Sequence, residues 1–150
     1  YDSVIVLGYR ITFNPDLIDT LNELDGLENV EFVWLTTWTD SAPLHLAPAI
    51  GLDNSWRVLK TADAAPVYPG DRGATGWWKF KAIKDDLLAN PTDQFVWIDD
   101  ELNHRFGAKE WADDAYPEKS LLISPDDTEG LHPHEVCAMI DFINGEQVFA

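Results

Sequence analysis

The chain has one cysteine, Cys137, among 150 residues. A single thiol excludes an intrachain disulfide and a cysteine-based zinc site. Cys137 sits in the apolar run Val136-Cys137-Ala138-Met139-Ile140, where it is expected to be a small core residue and not a nucleophile. Basic residues are scarce: 10 Lys and Arg stand against 27 Asp and Glu, for a net charge of −17. Such a surface repels phosphate backbones and anionic membranes on average, so general coating of nucleic acid and membrane-surface binding are disfavoured. A local basic pocket for one small phosphate group is compatible with this charge. No apolar stretch reaches the ~18 residues that a membrane span needs. With no signal peptide visible, the cytoplasm is the expected compartment.

What remains is globular composition. Hydrophobic residues make up 45% of the chain and aromatics 12%, enough for a sizeable core. One domain over residues 1–150 is the expectation at this length. No repeat, low-complexity segment or internal linker interrupts it.

Residues 3–13 (SVIVLGYRITF) are rich in Val, Ile, Tyr and Phe around Gly8. They predict two short strands or one bent strand. Asn14-Pro15-Asp16 then reads as a helix start: a capping side chain, a proline at the first position and an acid at the positive dipole end. Leu17, Ile18, Leu21 and Leu24 follow helical spacing, and Gly26 ends the run. Residues 30–37 predict a strand buried on both faces. Residues 41–50 predict a helix whose last turn is weakened by Pro48.

Residues 52–76 are punctuated by Pro66, Pro69-Gly70 and Gly73 and read as an irregular insertion or loop. A helix from Trp77 to Ala89, a strand at 94–98, a short helix at 106–113, a strand at 121–123 and a closing helix at 133–142 complete the pattern. Strands alternate with helices, which predicts an α/β fold: a Rossmann-like, doubly wound, mostly parallel sheet.

In open α/β sheets ligands bind at the carboxyl ends of strands. One predicted strand ends in Thr36-Thr37, another in Asp99-Asp100, and Lys79 opens the helix before the latter. Each alone has an ordinary explanation: a turn threonine, a capping aspartate pair, a solvated lysine. Together they form a coherent set. Paired carboxylates suit a hard cation such as Mg²⁺. A hydroxyl and an ammonium suit phosphoryl oxygens.

Four blocks carry a resemblance: VEFVWLTTW (30–38), GWWKFKAI (76–83), FVWIDDEL (95–102) and LLISPDDTEGLHPHEV (121–136). They resemble the haloacid dehalogenase (HAD) superfamily, in particular HAD-like domains of an actinobacterial and phage branch associated with RNA-repair proteins. The resemblance implies Mg²⁺-dependent phosphoryl transfer. It implies that Thr36 binds a phosphoryl oxygen, with Thr37 the neighbour open to confusion with it. Lys79 resembles the lysine that stabilises the phosphorylated nucleophile, in preference to Lys81 and Lys84. Asp99 and Asp100 resemble the metal-binding motif. Of the tryptophan pair, one is expected in the core, and Trp78 is carried as a residue bordering the substrate.

One family element is missing. The first motif, Asp-x-Asp-Gly, supplies the nucleophile, and no Asp-x-Asp occurs in this sequence. Its strand is expected ahead of Tyr1, between the strands at 30–37 and 94–98 in the family sheet. The expected activity is hydrolysis of a small phosphate ester or nucleotide end. The alternative is a catalytically inactive binding or assembly module. The sequence carries no signal of oligomeric state.

Other polar residues have simpler roles. His45 is expected to be structural, His104 surface-exposed, and His132 and His134 to mark a helix start. Asp113-Asp114 and Asp126-Asp127 read as solvated or loop carboxylates.

Overall fold

A computed structural model describes residues 2–27, 30–36, 40–52, 56–59, 77–104, 107–126 and 130–144. They fall into two compact units, residues 1–62 and 63–150.

The first unit opens with a β-hairpin. Strands β1 (Asp2–Val6) and β2 (Tyr9–Phe13) pair antiparallel, Asp2 opposite Phe13 and Val6 opposite Tyr9. The two-residue turn has positive φ at both positions, 49° at Leu7 and 85° at Gly8. That is the type I′ arrangement, whose twist matches the paired strands. Gly8 adopts it freely, whereas Leu7 has a Cβ that crowds the backbone there.

Helix α1 (Pro15–Asp25) starts as its sequence signals. The Asn14 side chain accepts a hydrogen bond from Asp16 N at 3.0 Å, with Pro15 in the first turn. At its end the Gly26 N–H donates to the carbonyls of Asn22 and Glu23. Ile18 faces a small core with Ala47 and Leu52, ringed by Phe13, Leu21, Trp34, Ile50 and Trp56.

The helix expected over 41–50 is divided. A π-helical turn at Ala42–Leu46 runs into α2 (Ala47–Ile50). Pro48 has no N–H to donate, so a regular ladder cannot pass through it. The wide turn ends just before it, and Pro48 falls in the first turn of α2, where a missing donor costs nothing. Gly51, at φ 95°, closes α2 in the left-handed conformation.

The strand expected over 30–37 is much shorter. β3 (Val33–Trp34) pairs in parallel with β4 (Arg57–Val58), and Leu59 N adds a bond to Trp34 O at 2.8 Å. A ladder extends only as far as its partner, and β4 is two residues long. β4 lies in the stretch read as irregular; residues 60–76 of that stretch lie outside the described residues.

The second unit is a βαβ arrangement with added helices. α3 (Trp78–Ala89) leads to β5 (Phe95–Ile98), a 3₁₀ turn (Leu102–His104), α4 (Ala108–Ala115), β6 (Ser120–Ile123) and α5 (Pro133–Ile143). β5 and β6 are parallel, in register from Phe95 opposite Ser120 to Ile98 opposite Ile123. The core is aromatic. Trp77 stacks on Trp97 with centroids 5.3 Å apart, and Phe80 meets the Trp111 ring edge-on at 5.4 Å.

Cys137 departs from expectation and is exposed. Met139, 2% exposed, is the inward residue of α5. Two residues amount to about 200° on a helix, so Cys137 faces away from it. His45 is exposed as well, on the π-helical turn, and so has no place in the core.

The α/β class and the parallel pairing β5–β6 are therefore present. Among the described residues the strands form three pairs, β1–β2, β3–β4 and β5–β6.

Candidate active site

The candidate site lies at the carboxyl end of β5. Asp99 N donates to Ile123 O at 3.0 Å, extending the β5–β6 ladder one residue beyond the strands. Alternation along β5 turns Trp97, 3% exposed, into the core. Asp99 lies two residues on, so its side chain projects on the same buried side.

Helix α3 delivers the partner. Trp77, 1% exposed, caps this helix and anchors its start in the core. Lys79 follows in the first turn. Its Nζ lies 2.8 Å from Asp99 Oδ2, with the two side chains 12% and 4% exposed. The ammonium also lies 5.8 Å from the Trp77 ring centroid, within cation–π range. The other oxygen, Asp99 Oδ1, accepts a hydrogen bond from Glu101 N at 3.0 Å.

Burial raises the pKa of Asp99 above its ordinary value of 3.8. The Lys79 charge and hydrogen bond and the Glu101 N–H pull it back, while neighbouring Asp100 adds to the rise. Desolvation of the carboxylate is the dominant effect.

Asp100, next to it, is exposed. The pair thus presents one carboxylate held inside the fold and one open to solvent. Beside them, Ser124 Oγ donates to Asp100 O at 3.1 Å and accepts from Asn103 N at 3.2 Å. The sequence singles out no role for Ser124. Its only signal is its position, one residue past β6.

The remaining candidates are on other positions of the chain. Trp78 is half-buried at the start of α3. Thr36 lies two residues past β3, in the first unit, while Thr37 lies outside the described residues. Lys81 pairs with Asp85 on the exposed side of α3, and Lys84 sits over the Phe80 ring. His104 is exposed, and the rings of His132 and His134 stack at the start of α5.

Among the described residues no three His, Cys, Asp or Glu side chains group as a complete metal cage. Asp99 and Asp100 nevertheless fit one kind of cation. Mg²⁺ takes hard oxygen donors, keeps several waters and is bound through one or two carboxylates plus substrate phosphate. Each Asp99 oxygen has a protein partner but retains a further lone pair. Among the described residues no helix is long and apolar enough to cross a membrane.

No curated protein and no solved structure matches the chain. A family model described as "HAD domain in Swiss Army Knife RNA repair proteins" matches residues 3–136. That span runs from within β1 to the start of α5, with the Lys79–Asp99 pair inside it, so the chain belongs to this family of HAD domains.

Proposed function

We propose that this domain is a Mg²⁺-dependent phosphohydrolase acting on a small phosphate ester or a nucleotide end in the cytoplasm. The observation that carries the proposal is the buried Lys79–Asp99 pair at the carboxyl end of β5. A lysine held this way is a fixed cation in a desolvated setting, where its charge acts more strongly than in water.

Lys79 would offset the negative charge that develops on the transferring phosphoryl group and orient the attacking carboxylate. Asp99 holds Lys79 in place, and Asp99 and Asp100 would hold the cation. Bound Mg²⁺ supplies charge neutralisation and a template for phosphate oxygens. Thr36 is proposed to offer its hydroxyl to a phosphoryl oxygen. Thr37 and Trp78 are proposed substrate contacts.

The nucleophile in this scheme is an aspartate of a segment ahead of Tyr1. It attacks phosphorus, the alcohol leaves, and water then cleaves the aspartyl-phosphate to free phosphate. The segment's strand would pair beside β5, whose partner among the described residues is β6 alone. One HAD-like domain spanning both units is part of the proposal, and the family match runs across both. The charge of −17 argues against duplex nucleic acid as the substrate.

The rival reading is a catalytically inactive binding or assembly module. Turnover separates the two. Protein carrying the upstream segment should hydrolyse p-nitrophenyl phosphate or nucleoside monophosphates with MgCl₂ and stop in EDTA. Asp99→Asn should abolish the activity. Full activity in that variant would overturn the metal assignment, and no turnover of any phosphate ester would leave the binding module.

A further inference from the structure

We infer that Ser124 is a positioning residue that sets the direction of the Asp100 carboxylate by splicing its hydroxyl into the turn after β5. This inference rests on the reading of Asp99 and Asp100 as cation ligands.

The β5–β6 ladder closes with Asp99 N on Ile123 O. Beyond that bond the two chains diverge, and the next residues are Asp100 and Ser124. The chain after β5 then winds into a tight turn with three-residue hydrogen-bond spacing. Leu102 N donates to Asp99 O at 3.1 Å, and His104 N donates to Glu101 O at 2.9 Å. The pair between them, Asp100 O and Asn103 N, is joined through Ser124. The Ser124 hydroxyl donates to Asp100 O at 3.1 Å and accepts from Asn103 N at 3.2 Å.

A hydroxyl can donate and accept at once, which makes it the group that can bridge a carbonyl and an amide. Inserting a side chain into such a ladder opens the turn locally. Here the opening falls on the peptide of Asp100. Asp99 is secured through its own side chain, by Lys79 and Glu101 N. Asp100 has an exposed side chain, so the course of its backbone sets the direction of its Cα–Cβ bond and with it the region its carboxylate can reach. Ser124 directly follows β6, the neighbouring strand. The bridge therefore ties the acidic turn to the sheet and leaves less of its geometry to a free loop.

The proposal predicts a hydroxyl-specific effect on cation binding. The probe is Mn²⁺, read by paramagnetic broadening of ¹⁵N-amide signals in the full chain. In the wild type, Mn²⁺ should broaden the amides of Asp99 to Asn103. Ser124→Ala should weaken the apparent Mn²⁺ affinity about tenfold, the scale for losing a group that orients a ligand. It should also speed hydrogen exchange at the Asn103 amide. Ser124→Thr keeps the hydroxyl and should restore both. Wild-type affinity in Ser124→Ala, with loss in Asp100→Asn, would overturn the role of Ser124 and leave the cation site standing. Weakening that Ser124→Thr does not rescue would also overturn it. No broadening in the wild type would overturn the cation reading and this inference with it.

Discussion

Lys79 and Asp99 form a buried ion pair, Nζ to Oδ2 at 2.8 Å, between the first turn of α3 and the end of β5. Two charges are kept out of water here, and neither is compensated without the other. Removing Lys79 should therefore cost more than removing a surface lysine such as Lys81. Lys79→Met should destabilise the fold by about 3–5 kcal/mol at pH 7.5, the range for breaking a buried pair. Lys81→Met, which loses an exposed helical pair, should cost about 0.5 kcal/mol or less. Urea unfolding of both variants checks the contrast.

The raised pKa of Asp99 has a defined sign in stability. The folded state holds the Asp99 proton more tightly than the unfolded chain does. Its contribution is fully present below the unfolded value near 3.8 and is lost as pH rises through the higher folded value. Wild type should thus lose stability relative to Asp99→Asn as pH climbs through that window, opposite to the usual carboxylate. Carbon-13 titration of the Asp99 carboxyl locates the window, and denaturation on either side reads the difference. In Lys79→Met the midpoint should move further up, because a lowering influence is gone. A midpoint at or below 3.8 in the wild type would refute the dominance of burial.

Leu7 sits in the left-handed region at φ 49° and is 58% exposed. Little burial is lost by changing it, and asparagine adopts this conformation more readily. Leu7→Asn should stabilise the hairpin unit by about 1 kcal/mol, on the scale of the left-handed penalty for a residue with a bulky Cβ. A higher melting temperature is the expected readout, and a lower one would show that Leu7 makes a contact that outweighs its strain.

Trp97 packs between Trp77 and Phe80, yet its indole N–H is buried without a partner among the described residues. Trp97→Ala should cost about 3–5 kcal/mol through lost packing and the cavity left behind. Trp97→Phe should cost clearly less. It gives up ring area but also removes a donor whose unmatched burial costs about 1–3 kcal/mol. Urea midpoints of the two variants decide this.

Element types and most boundaries were legible wherever local chemistry decides them. Asn14-Pro15 starts α1 because a capping oxygen and a preset φ act within one turn. Pro133 starts α5 for the same reason. Asp99-Asp100 ends β5 because charge cannot continue a buried strand, and the parallel pairing of β5 with β6 follows from the α4 crossover between them. The family was legible from four short blocks that keep residue type and order.

Other features depend on partners far away in the chain. β3 is two residues long because β4 is, and nothing in residues 30–37 reveals that. Cys137 lies in an apolar run, and only the packing of α5 around Met139 turns it outward. Lys79, Lys81 and Lys84 share one helix. Their spacing distributes them around it, but the position of Asp99 is what makes Lys79 the buried one. Ser124 is an ordinary residue in sequence; it acquires a role because parallel pairing brings the ends of β5 and β6 together. Local propensity, capping and hydrophobic period act over a few residues, so the sequence alone determines which segments become helices or strands and which charges end them. Which side chains meet, and which of them lose their water, is set by contacts between segments 20 or more residues apart, and that only the tertiary structure decides.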